Sequence, residues 1–278
     1  MRGENRNFSW RPAVAVVALA CAASSACAEI ISDRYWGGLE YFYPNINTSA
    51  RIDATSTNRP GSSVSFEQEL DLSDREGTPY ANFGMRLGDN WRIEFEGYAL
   101  KRTGHKAISR QIDFGDASYP IGADLATEFD STIYRLTGGW SFIKNEQAEA
   151  GVAFGLHVTD FQLQLSGQGT GVISGAGFQR ELHQATVPLP TLGLYGTYMI
   201  TPQLGLRGRF DFLSFNYDQY DGRLLNWLAA LDWRFSKNVG AGVGYRYVDY
   251  KLDATKNNFT GEVRYTFKGP TIFINAGF

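Results

Sequence analysis

The chain has 278 residues, of which 43% are hydrophobic, 14% aromatic and 20% charged, and its formal net charge is −3. A slightly acidic chain lacks the basic stripe of a nucleic-acid-binding protein, so we expect no nucleic-acid partner. The mean hydropathy of −0.27 and the lack of a long apolar run exclude a protein with several membrane-spanning helices, since each span needs about 20 apolar residues. The 31 glycines, 19 phenylalanines and 15 tyrosines favour an all-β chain.

Residues 1–28 have the pattern of a secretory signal peptide. Arginines give a basic start, a short run rich in Ala and Val follows, and Ala26 and Ala28 supply the small residues of a cleavage site. The weaker alternative is a lipoprotein leader with Cys27 lipidated. Both cysteines of the chain lie in this segment, so the mature chain would contain no disulfide. We expect residues 29–278 to form a single exported domain.

Apolar and polar residues alternate with period two throughout the mature chain, which predicts half-apolar β-strands. Trp91, Ile93 and Phe95, for example, alternate with Arg92 and Glu94. Short polar turns alternate with longer links, and the pattern predicts ten strands, with eight or twelve as alternatives. We place the strands at 35–43, 79–88, 91–103, 123–143, 148–167, 183–200, 204–217, 223–235, 239–252 and 258–278. Segments 62–72 and 106–113 also have extended patterns that would continue strands beyond a membrane.

The last strand has its apolar residues on odd positions up to Phe267 and on even positions from Ile272. One uninterrupted strand cannot change face, so the sequence predicts a β-bulge at Gly269 and Pro270. The alternative is a tight turn that begins an eleventh strand.

Strand length favours a membrane barrel over a soluble sandwich, because several strands reach 15–20 residues and globular strands are usually shorter. Aromatic residues also cluster near strand ends, as expected for two interfacial girdles. One predicted girdle contains Trp91, Trp140, Phe142, Trp233 and Phe235, and the other contains Phe215, Tyr217, Tyr247 and Tyr250.

With these features the mature chain resembles the Gram-negative outer-membrane β-barrel class. The resemblance implies a transmembrane antiparallel up-and-down barrel in the bacterial outer membrane, in contact with outer-membrane lipids and lipopolysaccharide. It also implies recognition by the barrel-assembly machinery through a C-terminal aromatic residue, which Phe278 matches. Ala276 is smaller than the residue often found two places earlier in this class.

If the apolar faces contact lipid, the opposite faces line the lumen with charged side chains. The candidate lining residues are Arg86, Arg92, Glu94, Glu96, Arg135, Arg207, Arg209, Asp211, Asp232, Arg234 and Arg246, joined by Glu40, Glu149, Glu262 and Arg264. These groups either pair across the lumen and plug it, or they line a narrow channel in which Arg92, Arg207 and Arg209 favour anions.

The sequence evidence for an enzyme is weaker. Resemblance to ten-stranded omptin proteases would require acidic pairs and a histidine at the extracellular rim, and the candidates are His105, His183, Asp113, Asp116 and Asp160. No motif fixes the geometry of these residues, and His157 is expected in the lumen. We therefore expect no enzyme, and no metal or cofactor. The leading prediction is a structural barrel or a pore for small polar solutes, and the alternative is a surface-loop adhesin or receptor.

Overall fold

The computed structural model describes residues 31–54, 60–171, 175–217, 220–256 and 259–278. The predicted leader, residues 1–28, lies outside the described residues. No helix in the described part of the chain is long and apolar enough to cross a membrane. The described residues contain one helical turn, α1 (Phe66–Glu69).

Ten antiparallel strands close into one barrel, which confirms the predicted fold class and strand number. In chain order the strands are β1 (Tyr35–Phe42), β2 (Asn45–Ile52), β3 (Val64–Ser65), β4 (Thr78–Leu87), β5 (Trp91–Ala107), β6 (Ile112–Phe114), β7 (Ala117–Tyr119), β8 (Asp124–Lys144), β9 (Ala148–Gly171), β10 (Gly175–Thr201), β11 (Leu204–Tyr217), β12 (Tyr220–Arg234), β13 (Val239–Lys256) and β14 (Phe259–Gly277). The barrel order is β1-β4-β5-β8-β9-β10-β11-β12-β13-β14, and β14 pairs with β1 to close it.

The remaining short strands belong to the end of the barrel that carries the longer connections. β2 continues the line of β1 along β14, β3 pairs with β2, and β6 and β7 form a hairpin that joins β9. Segment 62–72 therefore contains a short strand followed by a helical turn, and the prediction of a continuous extended segment there is wrong. In 106–113, β5 ends at Ala107 and a separate hairpin begins at Ile112.

Strands β5, β9, β10 and β13 are each at least four residues longer than the sequence predicted. Residues 168–182 lie between two predicted strands, 148–167 and 183–200, but β9 and β10 remain paired from Ala148 and Tyr198 to Gly171 and Gly175. The glycines in this segment occupy strand positions, where the backbone ladder, rather than side-chain pattern, maintains the pairing.

The outer surface of the barrel carries a belt of exposed apolar side chains near the short turns. Leu39, Phe95, Phe154, Leu194 and Ile274 are examples from five strands. Trp91, Trp140, Phe142, Trp233 and Phe235 are also exposed at the short-turn edge of this belt, where an interfacial girdle is expected. At the opposite edge Tyr247 stacks on Trp227 with ring centroids 6.0 Å apart.

The second predicted girdle is wrong for Tyr250, which is buried inside the barrel. Tyr250 follows Tyr247 by three positions, so the two side chains point to opposite faces of β13. The side chains of Phe215 and Tyr217 lie outside the described residues.

The predicted bulge in the last strand is also wrong, and so is the eleventh strand. β14 pairs with β13 without a register shift from Phe259 to Ala276, and it keeps one register with β1 and β2. The apolar residues of β14 change from odd to even positions because the interior of the barrel changes from apolar to charged along the strand. Tyr265 and Phe267 point into the apolar interior, whereas Ile272 and Ile274 face outward.

The interior therefore has two layers. Along β5 the inward residues Arg92, Glu94 and Glu96 occupy the layer near the short turns, and Leu100 lies in the layer above them. The upper layer is an apolar core to which most barrel strands contribute. Since the exposed belt surrounds the charged layer, the apolar core lies above the belt, in the half of the barrel with the longer connections. In outer-membrane barrels this is the extracellular half.

Candidate functional site: the filled lumen

The eleven predicted lining residues all point into the lower layer of the barrel, where they form ion pairs. Arg86 donates two hydrogen bonds of 2.7 Å to the two carboxylate oxygens of Glu149, across the lumen from β4 to β9. Ser141 donates a further hydrogen bond of 2.6 Å to the same carboxylate. A buried carboxylate with three donors is a well-satisfied ion pair of the strong bidentate kind.

The centre of the layer is a network that links three strands. Arg209 donates to Glu94 at 2.8 Å and to Asp211 at 2.9 Å, and its guanidinium also bonds the hydroxyl of Thr137. Arg135 bonds both Asp211 and Glu96. Because these residues come from β5, β8 and β11, the network holds opposite walls of the barrel together.

Three further arginines have carboxylate partners in the same layer. Arg234 bonds Asp33 at the short-turn end, and Arg246 lies 3.7 Å from Glu40. Arg92 bonds Glu94 and stacks over the ring of Tyr195, with 4.3 Å between the guanidinium carbon and the ring centroid.

Positive and negative groups balance in this layer among the described residues. The arginines are Arg86, Arg92, Arg135, Arg207, Arg209, Arg234 and Arg246, and the carboxylates are Asp33, Glu40, Glu94, Glu96, Glu149, Asp211 and Asp232. Each arginine has at least one carboxylate within ion-pair distance. The layer has no net charge, so it lacks the positive ring that anion preference would require.

Glu262 and Arg264 were predicted to line the lumen, and this is wrong. They pair with each other on the outer surface, where the Arg264 side chain is 60% exposed. The sequence pattern misplaced them because the inward face of β14 is apolar in the extracellular half, which makes Val263 and Tyr265 resemble lipid-facing residues.

The apolar layer is built around an aromatic cluster above the ion pairs. Phe129 packs edge-on against Phe66, with centroids 5.3 Å apart, and against Tyr265 at 5.6 Å. Phe161 stacks on Phe129 from the other side at 6.0 Å. Phe66 belongs to α1, so the segment between β2 and β4 inserts into the barrel mouth and completes the core.

Arg102, which the sequence analysis missed, fixes this inserted segment in place. Its side chain has no exposure; it bonds Glu67 at 2.6 Å, the hydroxyl of Thr48 at 2.6 Å and the carbonyl of Ser73 at 3.1 Å. Its guanidinium also lies 5.4 Å from the centroid of the Phe129 ring. The alternation along β5 could have predicted this position, because Arg102 and Arg92 both have even numbers and the even-numbered side chains of β5 face inward.

Histidines occupy three different environments. His157 is buried below the aromatic cluster and shares a hydrogen bond with the hydroxyl of Tyr250. His183 packs edge-on against Phe114 in the barrel mouth, and burial lowers the pKa of its imidazole. His105 lies on the exposed outer face, 3.4 Å from Asp124.

The residues proposed for protease chemistry are divided: Asp116 lies near enough to His183 to raise the pKa of its imidazole, whereas His105 and Asp160 lie elsewhere. His105 and Asp160 face outward on different strands, and Asp160 accepts a hydrogen bond from Thr186. Asp113 accepts hydrogen bonds from Gln111 and contacts Ser62, while His183 points inward. Within the described residues no group of three or more His, Cys, Asp or Glu is placed to hold a metal ion.

Phe278 closes the barrel at the short-turn end. Its N–H donates to the carbonyl of Tyr35 at 2.8 Å, and its own carbonyl accepts a hydrogen bond from Arg34. The ring is 69% exposed beside the end of the apolar belt. The terminal aromatic residue is therefore accessible at the end of the closing strand.

No protein-family model matches the chain, and no curated protein does. Among solved structures, the outer membrane protease OmpT from Escherichia coli has a TM-score of 0.58 and 11% identity, covering 90% of this chain and 98% of that one. Ail of Yersinia pestis gives a TM-score of 0.34, 9% identity and coverages of 86% and 99%. The toluene transporter TbuX of Ralstonia pickettii has a TM-score of 0.37 and 10% identity, covering 90% of this chain and 91% of that one.

These similarities concern the fold. The chain has the fold of the Gram-negative outer-membrane β-barrels, in a ten-stranded form. The exposed apolar belt and the short turns at one end agree with placement in an outer membrane. At 11% identity the likeness to OmpT carries no catalytic assignment to this chain.

Proposed function

We propose that the protein is a closed, non-conducting barrel of the outer membrane whose role is carried out by its extracellular half. The filled lumen is the observation that carries this proposal. A balanced ion-pair layer lies at the level of the belt, and an apolar core lies above it. These two layers in series favour the structural prediction over the small-solute pore.

The size of the interior cavities supports a closed lumen. Two interior cavities lined by described residues have volumes of about 50 and 70 Å³. A water molecule needs roughly 10–15 Å³ measured in this way, so each cavity holds only a few waters. The two cavities share no lining residue, one lying among the arginines and the other among the aromatic rings.

The extracellular half offers a large surface for interaction. β9 continues for 15 residues after Leu156, the last exposed apolar residue of its belt segment (171 − 156). At ~3.3 Å per residue and a tilt of ~45°, this extension rises roughly 35 Å above the belt. An adhesin or receptor function, in contact with lipopolysaccharide or another surface partner, fits this projection.

Single-channel recording in planar bilayers tests the closed barrel. We expect no conductance steps from refolded protein whose folded state is verified by heat-modifiable gel migration. Deletion of residues 62–73 should also remain silent, because the ion-pair layer below stays intact. Reproducible steps from the wild-type protein would overturn the proposal and restore the pore.

A catalytic role is not part of the proposal, since His105 and Asp160 lie on the outer face, apart from the inward-facing His183. A peptide-cleavage panel with wild-type protein and His183→Gln gives a direct check. Cleavage that the variant loses would make the extracellular half an enzyme and reverse this part of the proposal.

A further inference from the structure

A cavity of about 50 Å³ lies at the short-turn end of the lumen, below the ion-pair network. It is only partly enclosed, and its lining comes from strands on opposite sides of the barrel. The polar groups that line it include four arginines, Arg86, Arg92, Arg207 and Arg234, and three carboxylates, Asp33, Glu149 and Asp232. Glu94, which pairs with Arg92, is not among the lining residues, and with it the four arginines and their carboxylates balance.

Two of these arginines are fully committed to carboxylates. Arg86 forms the bidentate pair with Glu149 and also donates from Nε to the carbonyl of Asp33 at 3.0 Å. Arg234 bonds the Asp33 carboxylate and the carbonyl of Lys237. These pairs neutralise one another and Arg92 is paired with Glu94, so Arg207 and Asp232 form the loosely bonded ion pair of the cavity.

Arg207 differs from the other lumen arginines in its surroundings. Its side chain is 30% exposed, whereas those of Arg86, Arg92 and Arg234 are 6%, 12% and 2% exposed. It makes no hydrogen bond to any described residue, and its buried Nε lies 3.2 Å from Asp232 without the geometry of a hydrogen bond. The guanidinium is thus held in the cavity with donors to spare.

Asp232 is only a partial partner for Arg207. One of its carboxylate oxygens accepts a hydrogen bond of 2.8 Å from Asn275. The aromatic ring of Phe273 supports the Arg207 guanidinium from one side, with 5.1 Å between its central carbon and the ring centroid. A planar guanidinium that stacks on a ring keeps its N–H edge available to an incoming anion.

Further donors face the same cavity. The Nε of Arg92 is buried without a hydrogen-bond partner, and Thr197 and Asn82 add a hydroxyl and an amide to the lining.

We propose that this cavity binds a phosphate-sized oxyanion, held chiefly by Arg207 and assisted by Arg92 and Thr197. The volume equals that of about four waters, which suits one tetrahedral oxyanion. Guanidinium groups bind phosphate with directional, charge-assisted hydrogen bonds, whereas chloride gains no such geometry. The site faces the short-turn end, which in outer-membrane barrels is the periplasmic side.

Isothermal titration of the refolded barrel in phosphate-free detergent tests the site. We expect saturable binding of sodium phosphate, with sodium chloride at equal ionic strength giving none. Glycerol 3-phosphate forms a third arm: binding equal to phosphate means that the cavity accepts a phosphate monoester, and weaker binding means that it takes the free ion. Absence of phosphate binding by the wild-type protein would overturn the proposal.

Variants locate the site. Arg207→Gln should weaken phosphate binding at least tenfold, because it removes a charge-assisted donor. Thr197→Val keeps every ion pair and should weaken binding about fivefold, which covers the case in which Arg207→Gln fails to fold. Arg223→Gln removes an exposed arginine from the outer surface and should leave binding unchanged. Wild-type affinity in Arg207→Gln, or in Thr197→Val if the first does not fold, would refute the assignment.

Discussion

At the residue scale, burial decides what each ion pair contributes. Arg86 and Glu149 are almost completely removed from solvent, so their charges depend on each other and on Ser141. Arg264 and Glu262 form a pair of the same type on the outer surface, where water and salt screen it. The same residue types thus give unequal consequences when one partner is removed, because only the Arg86–Glu149 pair is buried and bidentate.

We predict that Glu149→Gln lowers the free energy of unfolding by about 3–5 kcal/mol, because Arg86 is left as a buried charge without its carboxylate. Glu262→Gln, the matched control, should cost less than about 1 kcal/mol. Urea unfolding in detergent, followed by tryptophan fluorescence, measures both. Equal shifts in the two variants would contradict the buried network.

Stability should also depend on pH through His183, which lies above the belt. Burial lowers the pKa of this imidazole below its usual 6.5, so the unfolded chain takes up the proton more readily than the folded barrel does. The contribution of His183 to stability is therefore complete above pH 6.5 and is lost as pH falls below that value. The carboxylate of Asp116 raises the pKa of the His183 imidazole and so reduces this pH dependence.

The check is the urea midpoint between pH 7.5 and 5.5, which should fall less in His183→Gln than in the wild-type protein. His105→Gln is the control, because that side chain is exposed on the outer face. A wild-type pH dependence retained in full by His183→Gln would show that other groups cause it.

At the element scale, the seam between β14 and the first strands has a constraint that the sequence pattern concealed. The line of β1 and β2 is interrupted at Tyr43 and Pro44, and it passes close to β14 there. A Cβ atom on Gly269 would lie 2.3 Å from the carbonyl oxygen of Tyr43. Gly269 therefore marks a close approach of two backbones, without an extra residue in either strand.

We predict that Gly269→Ala destabilises the barrel by about 1–3 kcal/mol, since backbone atoms must move to admit the methyl group. Gly208→Ala is the matched control, because a Cβ there would meet nothing within 4 Å. The thermal transition on heat-modifiable gels reports both. A Gly269→Ala barrel as stable as Gly208→Ala would show that the seam is looser than described.

At the scale of the whole molecule, two interiors share one barrel. Near the short turns the outside is apolar and the inside charged, as a lipid environment requires. Above the belt the inside becomes apolar, as in a soluble protein, because water surrounds the outer wall. The inserted α1 turn completes this upper core, and Arg102 holds it there.

Cysteine scanning along β14 with spin labels tests this arrangement. A label at Ile274→Cys should be accessible to oxygen in the lipid, and a label at Arg264→Cys on the same face should be accessible to a water-soluble nickel reagent. Phe267→Cys should be protected from both, since its side chain is buried in the upper core. If the nickel reagent reached a label at Phe267→Cys, that side chain would face outward, as the predicted bulge at Gly269 and Pro270 requires.

The sequence by itself determined the all-β fold, the ten strands and the inward position of the eleven charged lining residues. These follow from period-two alternation, which is a local property of each strand. Most strand bounds agree to within a few residues for the same reason, and the largest exception is the Gly-rich start of β10, where alternation gives no signal.

Only the tertiary structure decided which charges pair, which layer is apolar and how the lumen is filled. Alternation tells apolar from polar faces, but it does not distinguish a lipid-facing residue from one in a buried core. Tyr265 and Phe267 were therefore assigned to the wrong face, and Glu262 and Arg264 with them. The balance of the ion pairs and the spare donors of Arg207 depend on distances across the lumen, between residues far apart in the chain, on which a local pattern carries no information.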